Sequence, residues 1–292
     1  MDSVNNVSLK IPATSANLGL GFDTMGVAVN KYLSIKATES DKWEFEFLDE
    51  ELRDLPNGEA NFVASTAIDI AKKYNKVIPD LFIEMSSEIP LTHGLGSSSS
   101  AIVAGIELAD HYCQLGLSTY DKILLASKIE GHPDNVGPCI TGGAFVGYYQ
   151  DGYLAYHQLN LDKISLILSI PPYEISTKVA REAIPDSYEK GAAIEQNALN
   201  NVMLLSMVKK DYKTMGELMM QDKFHEPYRQ PLIAEFPEIK EIAVKNGAYA
   251  TVISGAGPTV LTLCPEDKVE GILKELQQVS TCKHESVEVH YN

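Results

Sequence analysis

The sequence predicts an α+β fold. Segments of alternating polarity, which are typical of half-buried strands, are mixed with segments that are apolar at helical spacing, and no regular strand–helix repeat is present. The chain has 292 residues, of which 45% are hydrophobic and 22% are charged, so it has room for one large or two modest domains. A change in composition predicts a domain boundary near residue 155, which divides the chain into domains 1–155 and 156–292.

The N-terminal part is predicted to contain both strands and helices. Alternation predicts strands over 7–12, 26–38, 43–47 and 81–85, and a hairpin over 146–157. Helical spacing predicts helices over 61–73 and 101–109. Ser118 and Asp121 are spaced as a capping box, which predicts the start of a further helix that reaches Ile129.

The C-terminal part is predicted to be mixed in the same way. Helices are expected over 177–183, 192–208, 212–221, 238–245 and 266–278. Strands are expected over 164–170, 248–253, 259–263 and 286–291.

Residues 90–100 give the clearest functional signal in the chain. The stretch reads PLTHGLGSSSS and lies between a predicted strand and an apolar helix. Glycines let a backbone approach a ligand closely, and the first amides of a helix, together with its dipole, favour negative charge. The stretch lacks the lysine of a P-loop and the third glycine of a dinucleotide-binding fingerprint. It therefore predicts a phosphate-binding loop of another kind, in preference to a flexible linker.

Two further glycine-rich loops, 17–21 and 255–257, also adjoin predicted strands. One such loop is weak evidence of a site, because most glycine pairs are simple turns. Three loops beside strands instead suggest backbones that converge around a ligand. A purely structural role stays open for 255–257.

Composition excludes several classes of protein. The net charge of −16 argues against a surface for nucleic acid or an anionic membrane, because either needs a basic face. The four cysteines are widely separated, which predicts reduced thiols and neither a disulfide framework nor a zinc site. Residues 1–10 lack the features of a signal peptide, and no stretch approaches a membrane span. We expect a soluble, cytoplasmic protein.

Six stretches of the chain resemble the GHMP kinase superfamily and, within it, the homoserine kinases. In chain order they read PATSANLG followed by GFD (12–23), PLTHGLGSSSS (90–100), GHPDN (131–135), STKVAR (176–181), EPYR (226–229) and SGAGPT (254–259). The likeness extends from about residue 8 to residue 265. Leu20 departs from it, since many relatives have proline there, and this affects the stiffness of the loop more than its chemistry.

The resemblance implies both a fold and an activity. The fold would combine a ribosomal-protein-like N-terminal domain, which binds ATP, with a ferredoxin-like C-terminal domain. The activity would be ATP-dependent phosphorylation of the hydroxyl of L-homoserine to O-phospho-L-homoserine, on the route to threonine. The resemblance also suggests a homodimer.

The resemblance further implies a role for each matched residue. Asn17 and Asp23 would meet the substrate hydroxyl, and Ser98 and Glu130 would hold Mg²⁺, which prefers oxygen ligands. The amino-acid pocket would be formed by His132, Asp134, Asn135, Arg181 and Arg229, with the arginines on the carboxylate. ATP would contact Asn61, Pro90, Leu91, Thr92, His93, Gly94, Leu95, Gly96, Ser97, Ser98, Ser99 and Ser100.

Chemistry supports the amino-acid pocket, although single residues do not. A free amino acid has an ammonium and a carboxylate, which an acid such as Asp134 and two guanidinium groups would match. Without the motifs, each arginine would be interpreted as a surface charge and His132 as a loop histidine. Asn61 ahead of a predicted helix favours a helix cap over adenine contact. Asp23 could accept the hydroxyl proton or only orient the hydroxyl, and we favour the second role.

Two alternative functions stay open. The first is another branch of the superfamily that acts on a different alcohol or as a diphosphate decarboxylase, which would not need the 131–135 loop. The second is a nucleotide sensor or an RNA-binding module. The acidic charge argues against RNA, and the presence of Asp23, Glu130 and both arginines argues against an inactive sensor. A serine hydrolase is excluded, because the serine run contains no Gly-x-Ser-x-Gly elbow.

Overall fold

The computed structural model describes residues 6–292. The expectation that residues 1–10 contain no signal peptide falls partly on 1–5, which lie outside the described residues. The first sheet has six strands: β1 (Asn6–Ala16), β2 (Met25–Glu39), β3 (Glu44–Phe47), β4 (Leu81–Ser87), β5 (Ala144–Gln150) and β6 (Tyr153–Leu159). Their order is β3-β4-β2-β5-β6, with β1 paired to β2, and only β3 and β4 run parallel.

The second sheet has four antiparallel strands in the order β10-β7-β9-β8. They are β7 (Ile164–Ile170), β8 (Ala250–Ile253), β9 (Val260–Pro265) and β10 (Lys283–Val287). The chain thus passes from the first sheet to the second between residues 159 and 164, four residues beyond the predicted domain boundary. The division at residue 155 itself stays a prediction.

Ten α-helices occur within residues 6–292. They are α1 (Phe62–Lys73), α2 (Ser97–Cys113), α3 (Thr119–Glu130), α4 (Val136–Thr141), α5 (Thr177–Glu182), α6 (Lys190–Val208), α7 (Tyr212–Met219), α8 (Glu226–Arg229), α9 (Phe236–Lys245) and α10 (Val269–Leu276). Short 3-10 helices occupy Glu50–Leu52, Gly58–Ala60, Gln230–Leu232 and Glu266–Lys268. Within residues 6–292, every helix falls short of the length and apolar character that crossing a bilayer would require.

The α+β prediction is confirmed, and most element boundaries agree within a few residues. Ser118 and Asp121 form the predicted capping box at the start of α3. The predicted last helix is divided into a 3-10 turn and α10, and the predicted last strand is shifted, since β10 ends at Val287. Beyond it the chain returns to the first part of the molecule, where Val289 bridges Val29 and Tyr291 bridges Gly142. The pairing partner therefore changes inside the segment that alternation predicted as one strand.

One hydrophobic core joins the two sheets. It contains inward-facing residues of β1, β2 and β4 together with residues of β7, β9 and α7. A second cluster lies between the outer face of the second sheet and helices α9 and α10. Helix α2 is buried along most of its length against α1, α3 and β1. This burial fixes the direction of α2 and therefore the position of its N-terminus.

Candidate active site

The three glycine-rich loops converge on one cavity of about 140 Å³. The Ser254 hydroxyl donates to the carbonyl of Gly94 at 2.7 Å, which joins the second loop to the third. The Asn17 amide donates to the carbonyl of Gly255 at 2.8 Å, and the Gly255 amide donates to the carbonyl of Ala16 at 3.1 Å, which joins the first to the third. The loop at 255–257 is thus part of the cavity wall, where Gly255 and Ala256 lie.

Glycine is required where the second loop is most tightly packed. Gly94 and Gly96 have φ values of 73° and 70°, which are strained for residues with a Cβ. A Cβ on Gly94 would collide with the carbonyl of Ser254, and one on Gly96 with the hydroxyl of Thr14. A larger residue at Gly94 would therefore push the second loop away from the third, and one at Gly96 would push it away from β1.

The N-terminus of α2 faces this cavity. Gly96 is the residue before the helix and has no side chain that could accept from the first amides. The N–H groups of Ser97, Ser98 and Ser99 have no acceptor within the helix, because the first intrahelical bond is donated by Ser100 to the carbonyl of Gly96. Together with the helix dipole, these amides make a site for an anion.

The predicted ATP residues do not all lie on this cavity. Its lining includes Thr92, Gly94, Gly96, Ser97, Ser98 and Ser99. Leu91 and Ser100 instead line an adjoining apolar pocket, and Pro90 and His93 line a groove that shares Leu91 with this pocket. The Leu95 side chain is buried in the core, and only its carbonyl reaches the loops, where it accepts from the Thr14 amide at 3.1 Å.

The apolar pocket has a volume of about 290 Å³ and shares Thr92, Ser97 and Ser98 with the central cavity. Its walls are mostly apolar and include Leu33, Leu52, Leu55, Pro56, Phe62, Val63, Met85 and Ala101. Asn61 lies at its edge and accepts from the Val63 amide at 3.0 Å. The prediction that Asn61 caps α1 is confirmed.

Ser98 and Glu130 both line the central cavity. They offer a hydroxyl and a carboxylate oxygen, which are the ligand types that suit Mg²⁺. Burial raises the pKa of the Glu130 carboxyl; the charge of His132 opposes this shift and that of Asp134 adds to it. The donor set therefore fits a hard divalent cation, which would also relieve the cost of burying the Glu130 charge.

Asp23 is paired with Arg181 across the cavity. The two guanidinium nitrogens donate to the two carboxylate oxygens at 3.0 and 2.8 Å, and this bidentate bond raises the pKa of Arg181. Asp23 has a φ of 56°, and its amide donates to the Asn17 side chain at 3.1 Å. Asn17 therefore fixes the turn that presents Asp23.

His132 and Asp134 form a second pair. Asp134 is almost fully buried and accepts hydrogen bonds from the His132 ring and from the Asn135 amide. Burial lowers the pKa of His132, but the hydrogen bond and the charge of Asp134 outweigh it, so the net shift is upward. Asn135 in turn accepts from the Thr14 hydroxyl at 2.8 Å. A metal ion could in principle be held by Asp23, His132 and Asp134, whose ligand atoms lie within 4.8 Å of one another. In the structure, however, Asp23 is bonded to Arg181 and His132 is bonded to Asp134.

Arg229 is buried next to Phe22. Its guanidinium donates to the carbonyls of Ala180 at 3.1 Å and Gly255 at 2.9 Å. Burial and the charge of Arg181 lower the pKa of Arg229 to about 10. The two guanidinium groups lie 5.7 and 5.2 Å from the Phe22 ring. Both predicted arginines therefore reach the same cavity as Asp23 and Asp134.

Sequence reasoning missed several polar residues around this cavity. Thr177 lines the cavity. It lies within the 176–181 motif, in which only Arg181 was given a role. A buried network below the first loop contains Asp222, His225 and Gln196. The only local signal for this network is that His225 immediately precedes the 226–229 motif.

Comparison with known families finds a matching family model in each half of the chain. Residues 61–143 match the model described as the GHMP kinases N terminal domain, and residues 203–280 match the GHMP kinases C terminal domain. A homoserine kinase of Staphylococcus epidermidis is 44% identical to this chain, over 97% of this chain and 94% of that protein. A homoserine kinase of Staphylococcus haemolyticus is 45% identical, over 95% and 92%.

Solved structures give the same picture. A putative homoserine kinase from Listeria monocytogenes superposes with a TM-score of 0.84 at 34% identity and covers 97% of this chain and 96% of its own. The homoserine kinase from Cytophaga hutchinsonii has a TM-score of 0.88 at 26% identity, with coverage of 100% and 96%. A mevalonate kinase, at 15% identity and a TM-score of 0.73 over 98% of this chain and all of its own, shares the fold.

Proposed function

This chain belongs to the GHMP kinase family, and we propose that it transfers the terminal phosphoryl group of ATP to the side-chain hydroxyl of L-homoserine. The product would be O-phospho-L-homoserine, on the route to threonine. One observation supports this substrate most directly: Arg181, Arg229 and Asp134 line the same cavity as the anion-binding end of α2. A cavity of this kind can accept a phosphate at one part and an amino acid at another.

The charges of the pocket suit a zwitterion. Nε and Nη1 of Arg229 are directed to carbonyls and an imidazole, which do not neutralise the guanidinium, so its positive charge is available for a carboxylate. Arg181 would join it by exchanging Asp23 for the substrate carboxylate, since both are bidentate acceptors. Asp134, with His132 and Asn135 beside it, would receive the ammonium group.

ATP would occupy the two adjoining pockets. The apolar pocket next to Asn61 is suited to the adenine ring, and the loop 90–100 would follow the phosphates. The amides of Ser97, Ser98 and Ser99 supply positive potential without a lysine. This source of binding is consistent with a chain whose net charge is −16.

We propose that Ser98 and Glu130 hold Mg²⁺. When bound, the cation neutralises charge on the transferring phosphoryl group. Glu130 would bind it as a carboxylate, and the nearby His132 charge favours that ionised form.

Asn17 and Asp23 would act on the substrate hydroxyl. Asn17 holds the turn through its bonds to Gly255 and Asp23. Asp23, once released by Arg181, would orient the hydroxyl towards the phosphates. The hydroxyl oxygen would bond to the terminal phosphorus as the bond from that phosphorus to ADP breaks, and the hydroxyl proton would pass to an oxygen of the transferred phosphoryl group. Phosphoryl transfer depends mostly on positioning and charge neutralisation, so orientation is a sufficient role.

The first test is ADP release with Mg-ATP and one candidate acceptor at a time: L-homoserine, L-serine, L-threonine or mevalonate. We expect strong turnover with L-homoserine alone. Turnover only with another alcohol would support a kinase but contradict the assignment of the arginines to the carboxylate of homoserine. ATP binding without turnover would favour a nucleotide sensor. Arg229→Lys should raise the KM for homoserine, and the exposed Arg53→Lys is the matched control.

Two further proposals concern the whole molecule. We propose a homodimer, because exposed apolar side chains follow one face of α6, namely Ile194, Val202, Leu205 and Val208. Light scattering on the purified chain tests this. A cytoplasmic location and small-molecule partners, with no nucleic acid, are supported by the four free cysteines and the acidic charge.

A further inference from the structure

His225 is completely buried, and both of its ring nitrogens have partners in the site. Nε2 lies 2.8 Å from the carbonyl of Gly19, and Nδ1 lies 3.4 Å from a guanidinium nitrogen of Arg229. We propose that His225 is a positioning residue that couples Arg229 to the loop presenting Asp23. The proposal rests on the proposed function, in which Arg229 binds the substrate carboxylate and Asp23 meets the hydroxyl.

The partners of His225 allow only one protonation state. The carbonyl of Gly19 can only accept, so Nε2 must carry the hydrogen. The guanidinium of Arg229 can only donate, so Nδ1 must be the accepting nitrogen. This is a single neutral tautomer, and an imidazolium would direct a second N–H at the arginine. Burial lowers the pKa of His225 and so favours the same form; the charge of Arg229 also favours it, whereas Asp222 and Asp23 oppose it.

His225 contacts the Asp23 loop at two points. Besides the bond to Gly19 at its start, the imidazole stacks on the ring of Phe22, with centroids 5.2 Å apart and planes 18° apart. Phe22 directly precedes Asp23, so a shift of the imidazole would move both ends of the loop. The Phe22 ring also lies 5.2 Å from the Arg229 guanidinium.

A buried network fixes the imidazole in place. Asp222 accepts from the amides of His225 and Glu226, each at 2.8 Å, which holds the backbone at the start of α8. Gln196 donates to Asp222 at 2.7 Å and to the carbonyl of Leu20 at 3.2 Å. Residues of α6 and of the segment before α8 therefore fix the position of His225, and His225 in turn fixes the positions of the Asp23 loop and of Arg229.

Two conservative variants separate the two links. The amide of Asn lies near the position of Nδ1, and that of Gln near the position of Nε2. His225→Asn should keep the acceptor for Arg229 and lose the bond to Gly19, and His225→Gln should do the reverse. His225→Leu removes both links, and Met215→Leu, a buried change on α7 outside the network, is the control.

The readout is a separate KM for homoserine and kcat for each variant, with thermal unfolding to confirm that each one is folded. We expect His225→Gln to raise KM by about tenfold with little change in kcat, and His225→Asn to lower kcat by about tenfold with little change in KM. His225→Leu should show both effects. If it does not fold, the opposite patterns of Gln and Asn still test the proposal.

Two results overturn the proposal. One is the same pattern in the Gln and Asn variants, which would indicate a general packing role. The other is unchanged kinetics in a folded Leu variant, which would remove His225 from the site. In both cases the wild type still phosphorylates homoserine, whereas a wild type without that activity would overturn the proposed function and this proposal with it.

Discussion

Replacing Asp23 by asparagine tests how the hydroxyl of the substrate is activated. The substitution keeps the size of the side chain and removes its charge and its ability to accept a proton. It also replaces one of the two oxygens that accept from Arg181 by an amide group, which cannot accept. The ion pair is therefore lost, although the turn held by Asn17 can persist, because Asn17 binds the backbone of residue 23.

The size of the loss in kcat distinguishes a general base from a residue that only orients the hydroxyl. A general base typically contributes about 10²- to 10⁴-fold to the rate. A hydrogen bond that only orients the hydroxyl is lost at a cost of about 1.5 kcal/mol, which is roughly tenfold. We expect the tenfold loss in kcat. Because Arg181 no longer has to exchange Asp23, homoserine should also bind more tightly, by up to about fivefold for a partly exposed ion pair.

The assay is steady-state ADP release over a range of homoserine concentrations, combined with calorimetric binding of homoserine without nucleotide. The control is Asp41→Asn, which alters an exposed carboxylate far along the chain from any site residue. A loss of three orders of magnitude or more in kcat would refute the orienting role and indicate a base. Weaker binding of homoserine would refute the exchange of Asp23 for the substrate carboxylate.

Three further predictions concern the metal, a helix cap and a buried acid. Ser98→Ala and Glu130→Gln should each raise the Mg²⁺ concentration needed for half-maximal activity by about tenfold or more, measured by titrating MgCl₂ at saturating ATP. Asn61→Ala should lower the free energy of unfolding by about 1 kcal/mol in a denaturant titration, because the Val63 amide loses its acceptor. Burial raises the pKa of Glu226 from 4.5 to about 8, so the folded state keeps a proton that the unfolded state releases between these values. The free energy of unfolding of the wild type should therefore decrease between about pH 5 and 8, relative to that of Glu226→Gln. If the two free energies of unfolding change with pH in parallel, this prediction is wrong.

Local signals explain what the sequence could predict. The capping box at Ser118 and the cap at Asn61 depend on contacts within three residues. Both could therefore be predicted from the sequence, and both are confirmed. The strands that precede the first two glycine loops were predicted from alternation over the short segments 7–12 and 81–85. The convergence of the three loops was predicted from their common position beside strands, and the hydrogen bond from the Ser254 hydroxyl to the carbonyl of Gly94 joins two of them.

Long-range pairing explains what the sequence could not predict. Asp23 and Arg181 were each assigned to the substrate, and their bond to one another spans 158 positions of the chain. His225 reaches Gly19 across 206 positions. Helix α8 has four residues, which is too short for a helical period to be visible in the sequence.

The pairing of charges in the cavity supports the proposed place of each ligand group. Asp23 is neutralised by Arg181, and Asp134 interacts with His132, so these four side chains leave little net charge. Among residues 6–292, Arg229 and Glu130 form no salt bridge; Arg229 is buried and Glu130 is partly buried. A buried charge without a partner is costly, and a ligand of opposite charge would remove that cost. Under the proposed function, the carboxylate of the substrate would therefore meet Arg229 and a cation would meet Glu130, and a zwitterionic amino acid and a metal-bound nucleotide would supply these two groups.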